Sequence, residues 1–291
     1  MKTEKSIALG TFDGFHKGHL EVINEAKNSK YKPFVLLFSE HPQMQITGKS
    51  PDEILTKTIR KKLLQKINVD SIIIDFNEIK NMTPQSFFCD IIIDKFNAKE
   101  LSCGENYSFG KGGKGDAKLL KALCDENGIK LNIAKTIKYN NKTISSTLIR
   151  QAIRDGKIEQ ANEMLGRCFS YDFEVRYGDE RGKTLGFPTI NQFFDDGFIE
   201  MKHGVYASFV LINEKKYPSV TNFGKRPTIG TKTVRSETHI IGFEGDLYGQ
   251  NIEVSILSYI RPEKEFNDFK ELSNAIKNDA QTAMRIFKNS I

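Results

Sequence analysis

Gly10-Thr11-Phe12-Asp13-Gly14-Phe15-His16-Lys17-Gly18-His19 gathers residue types suited to phosphate chemistry. Glycines let a backbone approach a ligand closely. A helix beginning near Gly18 would put His16 and His19, three apart, on one side of its first turn. The N-terminus of such a helix offers unpaired N–H groups and partial positive charge. Two imidazoles and Lys17 placed there can stabilise charge on a transferring phosphoryl group. Further on, Ser145, Ser146 and Thr147 set three hydroxyls at another helix start, and Arg150 follows one turn later. One hydroxyl suffices for an N-cap, and a guanidinium there can fork onto phosphate. A third stretch runs from Gly178 through Gly182, Lys183 and Gly186 to the rigid pair Phe187-Pro188. Successive N–H groups of such a loop can cradle phosphates. Thr189 and Asn191 alternate along an extended segment, so their oxygens point one way. Oxygen donors of that kind suit Mg²⁺, which completes its shell with phosphate and water. Each stretch also has a plain reading: a glycine turn with surface histidines, ordinary N-capping, and a hairpin loop.

These residues need elements to hold them. The first half alternates strand patterns (6–9, 33–38, 71–76, 100–103) with helical ones (20–26, 53–67, 84–96, 116–126), which predicts a mostly parallel sheet. The motif with His16 then follows the first strand, where α/β sheets bind ligands. A helical stretch over 147–165 breaks near Gly156, and the style changes at Gly166. Strand patterns at 171–177, 205–212, 216–223, 237–243 and 252–260, with a turn at Asn213-Glu214-Lys215, predict a small barrel or sandwich. An amphipathic helix over 266–287 follows, its apolar face including Phe266, Phe269, Ile276 and Ala283. Two domains are expected, 1–166 and 167–291, the second able to fold alone.

Composition narrows the classes. With 291 residues, 38% hydrophobic and 27% charged, the chain has the balance of a soluble protein with a core in each half. The 21 Phe and absent Trp make Phe the expected core aromatic. No apolar run reaches a membrane span or a signal peptide, and Cys89, Cys103, Cys124 and Cys168 show no CxxC spacing. Reduced thiols in the cytoplasm are expected. The net charge of +6 suits a handler of phosphates, and Lys61 and Lys62 read as a solvated helix face. Gly110-Lys111-Gly112-Gly113-Lys114-Gly115 matches GxGxxG, but no acidic residue follows at the spacing a dinucleotide site requires. It is expected to be a mobile loop over a cleft.

GTFDGFHKGH with the later ISSTLIR resembles the nucleotidylyltransferase half of the bacterial bifunctional riboflavin kinase/FAD synthetase family. Phe38-Ser39-Glu40-His41-Pro42 and Gly104-Glu105-Asn106-Tyr107-Ser108-Phe109-Gly110 resemble segments of the same half. GKTLGFPTIN, His203-Gly204-Val205-Tyr206, the stretch 221–228, Glu237-Thr238-His239, Asp246-Leu247-Tyr248-Gly249 and Arg261 resemble the kinase half in order. The resemblance implies a Rossmann-like α/β domain with a parallel sheet, then a six-stranded antiparallel β-barrel with a C-terminal helix. It implies phosphorylation of riboflavin and adenylylation of FMN to FAD, with ATP as co-substrate and Mg²⁺ as cofactor. It puts His16 and His19 at ATP phosphates, with Gly10, Thr11, Phe12, Asp13, Gly14, Lys17, Asn106, Ser145, Ser146, Thr147 and Arg150 lining that cleft. Phe38, His41, Pro42, Tyr107, Phe109 and Arg261 fall on the flavin side. In the kinase half it puts Gly178, Gly182, Lys183, Gly186, Phe187 and Pro188 at ATP, Thr189 and Asn191 at the metal, and Glu237 as general base. The plain reading of Glu237 is an ion pair with Arg235. His41, His203 and His239 have no metal-ligand spacing. Ser108 and Gly113 replace arginines common in the family, which implies a weaker adenylylation. A cytidylyltransferase would leave the second half unexplained, and a degenerate flavin sensor would not need His16, His19, Asn191 and Glu237. The expected partners are small molecules, not nucleic acid or membrane, with the chain a monomer or weak homo-oligomer.

Overall fold

The computed structural model describes residues 3–178, 187–228 and 231–290, with the side chains of 226–228 and 231–233 outside the description. Contacts divide it into two compact units: Met1–Pro51 with Arg60–Ser146, and Asp52–Ile59 with Thr147–Ile291. The division falls before the helices Ser146–Arg154 and Ile158–Leu165, not at the expected residue 166, because those helices bury Ile153, Ile158, Ala161 and Leu165 in the second unit. Asn162 shows the tie: its amide donates to Ile256 O at 2.9 Å and accepts from Phe169 N at 2.7 Å. The expectation that residues from about 167 fold alone therefore omits part of this unit.

In the first unit β1 (Lys5–Ala8), β2 (Lys32–Phe38), β3 (Asp70–Ile74), β4 (Ala98–Gly104) and a later strand over Lys130–Ala134 pair in parallel. Two short pieces intervene, β5 (Ser108–Phe109) and β6 (Gly115–Asp116), so the later strand is β7. The order β3-β2-β1-β4-β7 reverses direction between β1 and β4. Ligands of open α/β sheets bind outside the carboxyl ends at such a switch point. β1 and β4 are apolar and buried, Ile7, Ala8, Leu101 and Cys103 being fully covered. The helix Lys17–Lys27 seals one face with Val22, Ile23 and Ala26, and the buried Ser102 hydroxyl donates to Val22 O at 2.8 Å. The stretch expected as one helix over 84–96 is a short α-turn followed by a π-helix, Phe87–Lys95.

In the second unit a small hairpin, β8 (Lys138–Tyr139) and β9 (Lys142–Thr143), having closed the first, seven strands follow: β10 (Phe169–Tyr171), β11 (Val175–Arg176), β12 (Thr189–Phe193), β13 (Gly204–Ile212), β14 (Lys215–Thr228), β15 (Thr231–Ile240) and β16 (Glu253–Arg261). Their order is β10-β16-β13-β14-β15-β12-β11. A curled antiparallel sheet of seven strands thus stands where six were expected, because a kink at 172–174 splits one pass into β10 and β11, the two strands that end the order. Gln192, wholly buried, pins the kink by donating to Phe173 O at 2.5 Å and Ile252 O at 2.8 Å. Asn213 and Glu214 take positive φ (48° and 64°) in the tight turn from β13 to β14. The last helix, Phe269–Asn289, packs Ala283 on Val205, Ala207, Val220 and Leu257, while Phe269, expected on the buried face, is 75% exposed.

Glu100 on β4 is a buried carboxylate that accepts from Ser29 Oγ at 2.6 Å, Asn132 Nδ2 at 2.7 Å and Lys130 Nζ at 2.8 Å. Burial works to raise it, but these donors hold it below the usual carboxylate range. A group depressed on folding stabilises above its unfolded range and loses that contribution as pH falls. Glu100→Gln should therefore cost about 1–3 kcal/mol at neutral pH. Thermal unfolding against pH checks this: the gap to wild type should narrow as pH falls below the ordinary carboxylate range, and a gap constant with pH would mean that the charge is not what the bonds hold.

Candidate active sites

β1 ends at the switch point, and the turn after it carries the two histidines. His16 is the N-cap of the helix Lys17–Lys27, one residue earlier than the expected start, with its Nδ1 accepting from His19 N at 3.2 Å. That bond leaves the proton of a neutral His16 on Nε2, where it is a donor. The rings of His16 and His19 stack at 3.6 Å, 16° from parallel. Burial and then the His16 charge push His19 down to about 3, against the pull of Asp13. His19 Nδ1 is buried with no hydrogen-bond partner. His19 thus meets a ligand as a neutral N–H donor, and a bound phosphate dianion would raise its proton affinity.

The turn owes its shape to Phe12 and Phe15, whose buried side chains stack at 6.1 Å while their backbones take φ of 49° and 44°. Gly10 lies under the Phe12 ring, where a Cβ would approach to 3.0 Å. Phe12 can therefore offer a ligand only its backbone. Asp13 accepts the Ser146 hydroxyl proton and stands 4.0 Å from His41 Nε2. His41 Nδ1 in turn caps the short helix Pro42–Thr47 through Gln43 N at 3.2 Å. Sequence reasoning took Ser146 and His41 as ligand contacts and missed Asp13 as the residue that gathers them. At the end of β4, adjacent to β1, lie Asn106, exposed, and Tyr107, stacked on Phe109 at 5.8 Å. Phe38 ends β2 against Phe76, ring centroids 5.6 Å apart. In the glycine-rich loop β5 pairs with β6, Lys111 N donates to Met82 O at 2.7 Å and Gly113 N to Gly110 O at 2.9 Å. Gly113 has φ +66°, which disfavours an arginine there, and its Cβ position would sit 3.6 Å from Ser108 Oγ.

The second constellation is set by strand register. Residues directly opposite in an antiparallel pair share a face. Asn191 on β12 faces Glu237 on β15, which faces Asn222 on β14, and Thr189 faces His239. Their alternates Gln192, Ser236, Thr238 and Thr221 are fully buried inside. Thr189, Asn191, Asn222, Arg235, Glu237 and His239 therefore share the outer face of the barrel. Arg235 holds Glu237 at 2.7 Å, as the plain reading required. His239 Nδ1 donates to Pro188 O at 2.9 Å and its ring meets Phe187 edge-on, so it fixes the Phe-Pro turn. Gly178 covers the Asn191 amide so closely that a Cβ would fall 2.5 Å from it. Gly182, Lys183 and Gly186 lie outside the described residues. Among the described residues no group of three His, Cys, Asp or Glu could hold a metal. One hydroxyl and one amide oxygen on a strand fit Mg²⁺ that keeps phosphate and water as its other ligands.

A family model described as FAD synthetase matches residues 1–148, and one described as riboflavin kinase matches 165–287. The bifunctional riboflavin kinase/FMN adenylyltransferase of Escherichia coli (strain K12) is 32% identical over 289 residues, covering 97% of this chain and 92% of its own. The enzyme of that name from Bacillus subtilis (strain 168) is 32% identical over 294 residues, with the same coverage. The chain belongs to the bifunctional riboflavin kinase/FMN adenylyltransferase family. The crystal structure of a Streptococcus pneumoniae protein named as a macrolide-efflux protein superposes with a TM-score of 0.89 at 31% identity, covering 98% of this chain and 95% of that one. Among the described residues no helix is long and apolar enough to cross a membrane.

Two arginines that the resemblance puts at ligands make bonds within the chain. Arg150, buried in the second unit, donates from Nε to Asp52 O at 2.6 Å. Arg261 forms a forked pair with Asp279 on the last helix, 2.8 Å from its NH2 group and 3.1 Å from Nε, which the sequence reading missed because Asp279 sits in an otherwise apolar helical pattern. In the FAD synthetase half, the neutral His19 gives a direct test. Its folded value is depressed, so its stabilising contribution is full above the ordinary histidine range and lost as pH falls toward about 3. Side-chain NMR of the ligand-free protein should find His19 uncharged at about pH 5; a His19 ring titrating near an ordinary histidine value would overturn the burial argument.

Proposed function

We propose that the chain performs both reactions of its family at separate sites, phosphorylating riboflavin to FMN and adenylylating FMN to FAD with release of pyrophosphate. The observation that carries this is the presence in one chain of two unlike phosphate-directed constellations: the stacked His16 and His19 at a helix N-cap, and the outer-face row Thr189, Asn191 and Glu237. In the kinase half Glu237, oriented by Arg235, accepts the proton of the flavin 5′-hydroxyl as its oxygen attacks the γ-phosphorus of ATP. Thr189 and Asn191 would hold Mg²⁺, which supplies charge neutralisation on the transferring phosphates when bound. In the FAD synthetase half the FMN phosphate oxygen attacks the α-phosphorus, and the pyrophosphate bond breaks. His16 Nε2–H and the His19 ring donate to oxygens that gain charge in that step, aided by the N–H groups of the helix start. Asp13, with Ser146 and His41, holds the turn that presents them. The reading places the enzyme in the cytoplasm, with riboflavin, FMN and ATP as its small-molecule partners.

Product analysis after mixing enzyme, Mg²⁺, ATP and either flavin tests each half. His16→Ala combined with His19→Ala should slow FAD formation about 10²–10³-fold while FMN still forms. Wild-type FAD formation in that variant would remove the histidines from the site. Glu237→Gln should slow FMN formation roughly 10²–10⁴-fold and leave FAD formation from supplied FMN intact. Normal kinase activity in that variant would rule out Glu237 as the base.

A further inference from the structure

The segment Asp52–Ile59 lies within the FAD synthetase match, yet it packs as part of the second unit. The sequence pattern predicts a helix over 53–67, but the helix is Lys57–Lys66, and the residues before it form a single bridge at Glu53 and a bend at Ile54 and Leu55. Glu53 bridges Phe198 in parallel, its N–H donating to Gly197 O at 2.7 Å and its carbonyl accepting from Ile199 N at 2.9 Å. Ile54 and Leu55 are each 1% exposed, which is unusual for a connection between strands. Asp52 is held at its carbonyl by Arg150 and at its carboxylate by Arg154, 2.5 Å away. Thr56 donates its hydroxyl proton to Asp172 Oδ1 at 2.5 Å and caps the helix through Ile59 N at 3.3 Å.

Both anchors lie at one end of one strand, the Phe193 end of β12. Asp172, 3% exposed, sits in the kink between β10 and β11, and Arg176 of β11 pairs with Asn191 of β12. Gly197 to Ile199 follow that same end of β12, and Gln192 of β12 bonds to Phe173, the neighbour of Asp172, while β11 carries the register on to Asn191. Whatever holds Thr56 against Asp172 and Glu53 against Phe198 also fixes where β12 carries Thr189 and Asn191.

We propose that Asp52–Ile59 is a positioning strap for the riboflavin kinase site, with Thr56 and Asp172 as positioning residues that act through β11 and β12. It rests on the reading of Thr189 and Asn191 as the Mg²⁺-ATP residues. The kinase is then a discontinuous domain, and the 165–287 match lacks a part that its site needs.

The test uses full-length Thr56→Val, Thr56→Ser and Asn191→Ala, each assayed for FMN formation over a range of Mg²⁺-ATP and for hydrogen exchange of the amides at 53–55 and 197–199. Thr56→Val should raise the KM for Mg²⁺-ATP roughly tenfold, the scale of one hydrogen bond to a charged group, with a smaller change in kcat. It should also speed exchange at both segments, and Thr56→Ser should restore both. Faster exchange with an unchanged KM would reduce the strap to packing and overturn the proposal, as would no change in either. If Thr56→Val raises the KM while Asn191→Ala does not, the strap stands and the metal assignment falls.

Discussion

Two phenylalanines in a backbone region that phenylalanine disfavours hold the first site together. Phe12 and Phe15 sit at positive φ with their rings buried, and such residues cost of order 1–3 kcal/mol each unless the surroundings over-determine them. Here the surroundings do. Burying a phenyl ring stabilises by about 1.5–3 kcal/mol, which offsets the strain and turns the chain sharply enough to start a helix at Lys17. The N-cap of that helix is a histidine, and the cap bond selects its tautomer. The stacked imidazoles, the neutral state of His19 and the reach of Asp13 to Ser146 all follow from that turn. Gly10 is required because the Phe12 ring occupies the space a side chain would take.

The barrel solves a different problem. Its pleat sends alternate residues inward and outward, and the inward set is partly polar. Ser208 bonds to Ser219 at 2.7 Å and Thr221 at 2.8 Å, and Thr221 to Thr238 at 2.9 Å, all of them buried. Aromatic rings fill the remaining space, Phe194 and Phe223 at 5.0 Å among them. Hydroxyls bonded to each other satisfy burial without charge. The charged groups are left to the other face, where Asn191 and Glu237 meet across the ladder.

Local patterns were legible. The glycine and histidine motif, the Phe-Pro turn, the alternation of strands with helices and the later crowding of strands were all read from neighbours in sequence, and the architecture they imply is the one found. What the sequence hid was long-range pairing. Asp13 finds Ser146, Arg261 finds Asp279, and Thr56 finds Asp172, and in each case one partner looks like an ordinary cap, loop or helix residue. The strap was misread as a helix because Ile54, Leu55 and Ile59 have helical spacing; the competing force was burial against a β-strand end. The pairing across Gly110 to Gly113 was likewise hidden, because glycine content signals permissive φ without saying which bonds the turn makes.

The closure of the barrel has a consequence for how the protein can fail. A sheet edge is a template for other chains, and closure removes it. One kinked pass, Phe169–Tyr171 with Val175–Arg176, pairs at both ends of the second sheet, which shortens the edges that sheet offers among the described residues. The first sheet keeps two, β3 and β7, and each carries an exposed isoleucine, Ile73 at 66% and Ile133 at 43%. Intermolecular strand addition therefore has its route through the nucleotidylyl half, and charges such as Asp70 and Lys130 at the starts of those strands are what guard it.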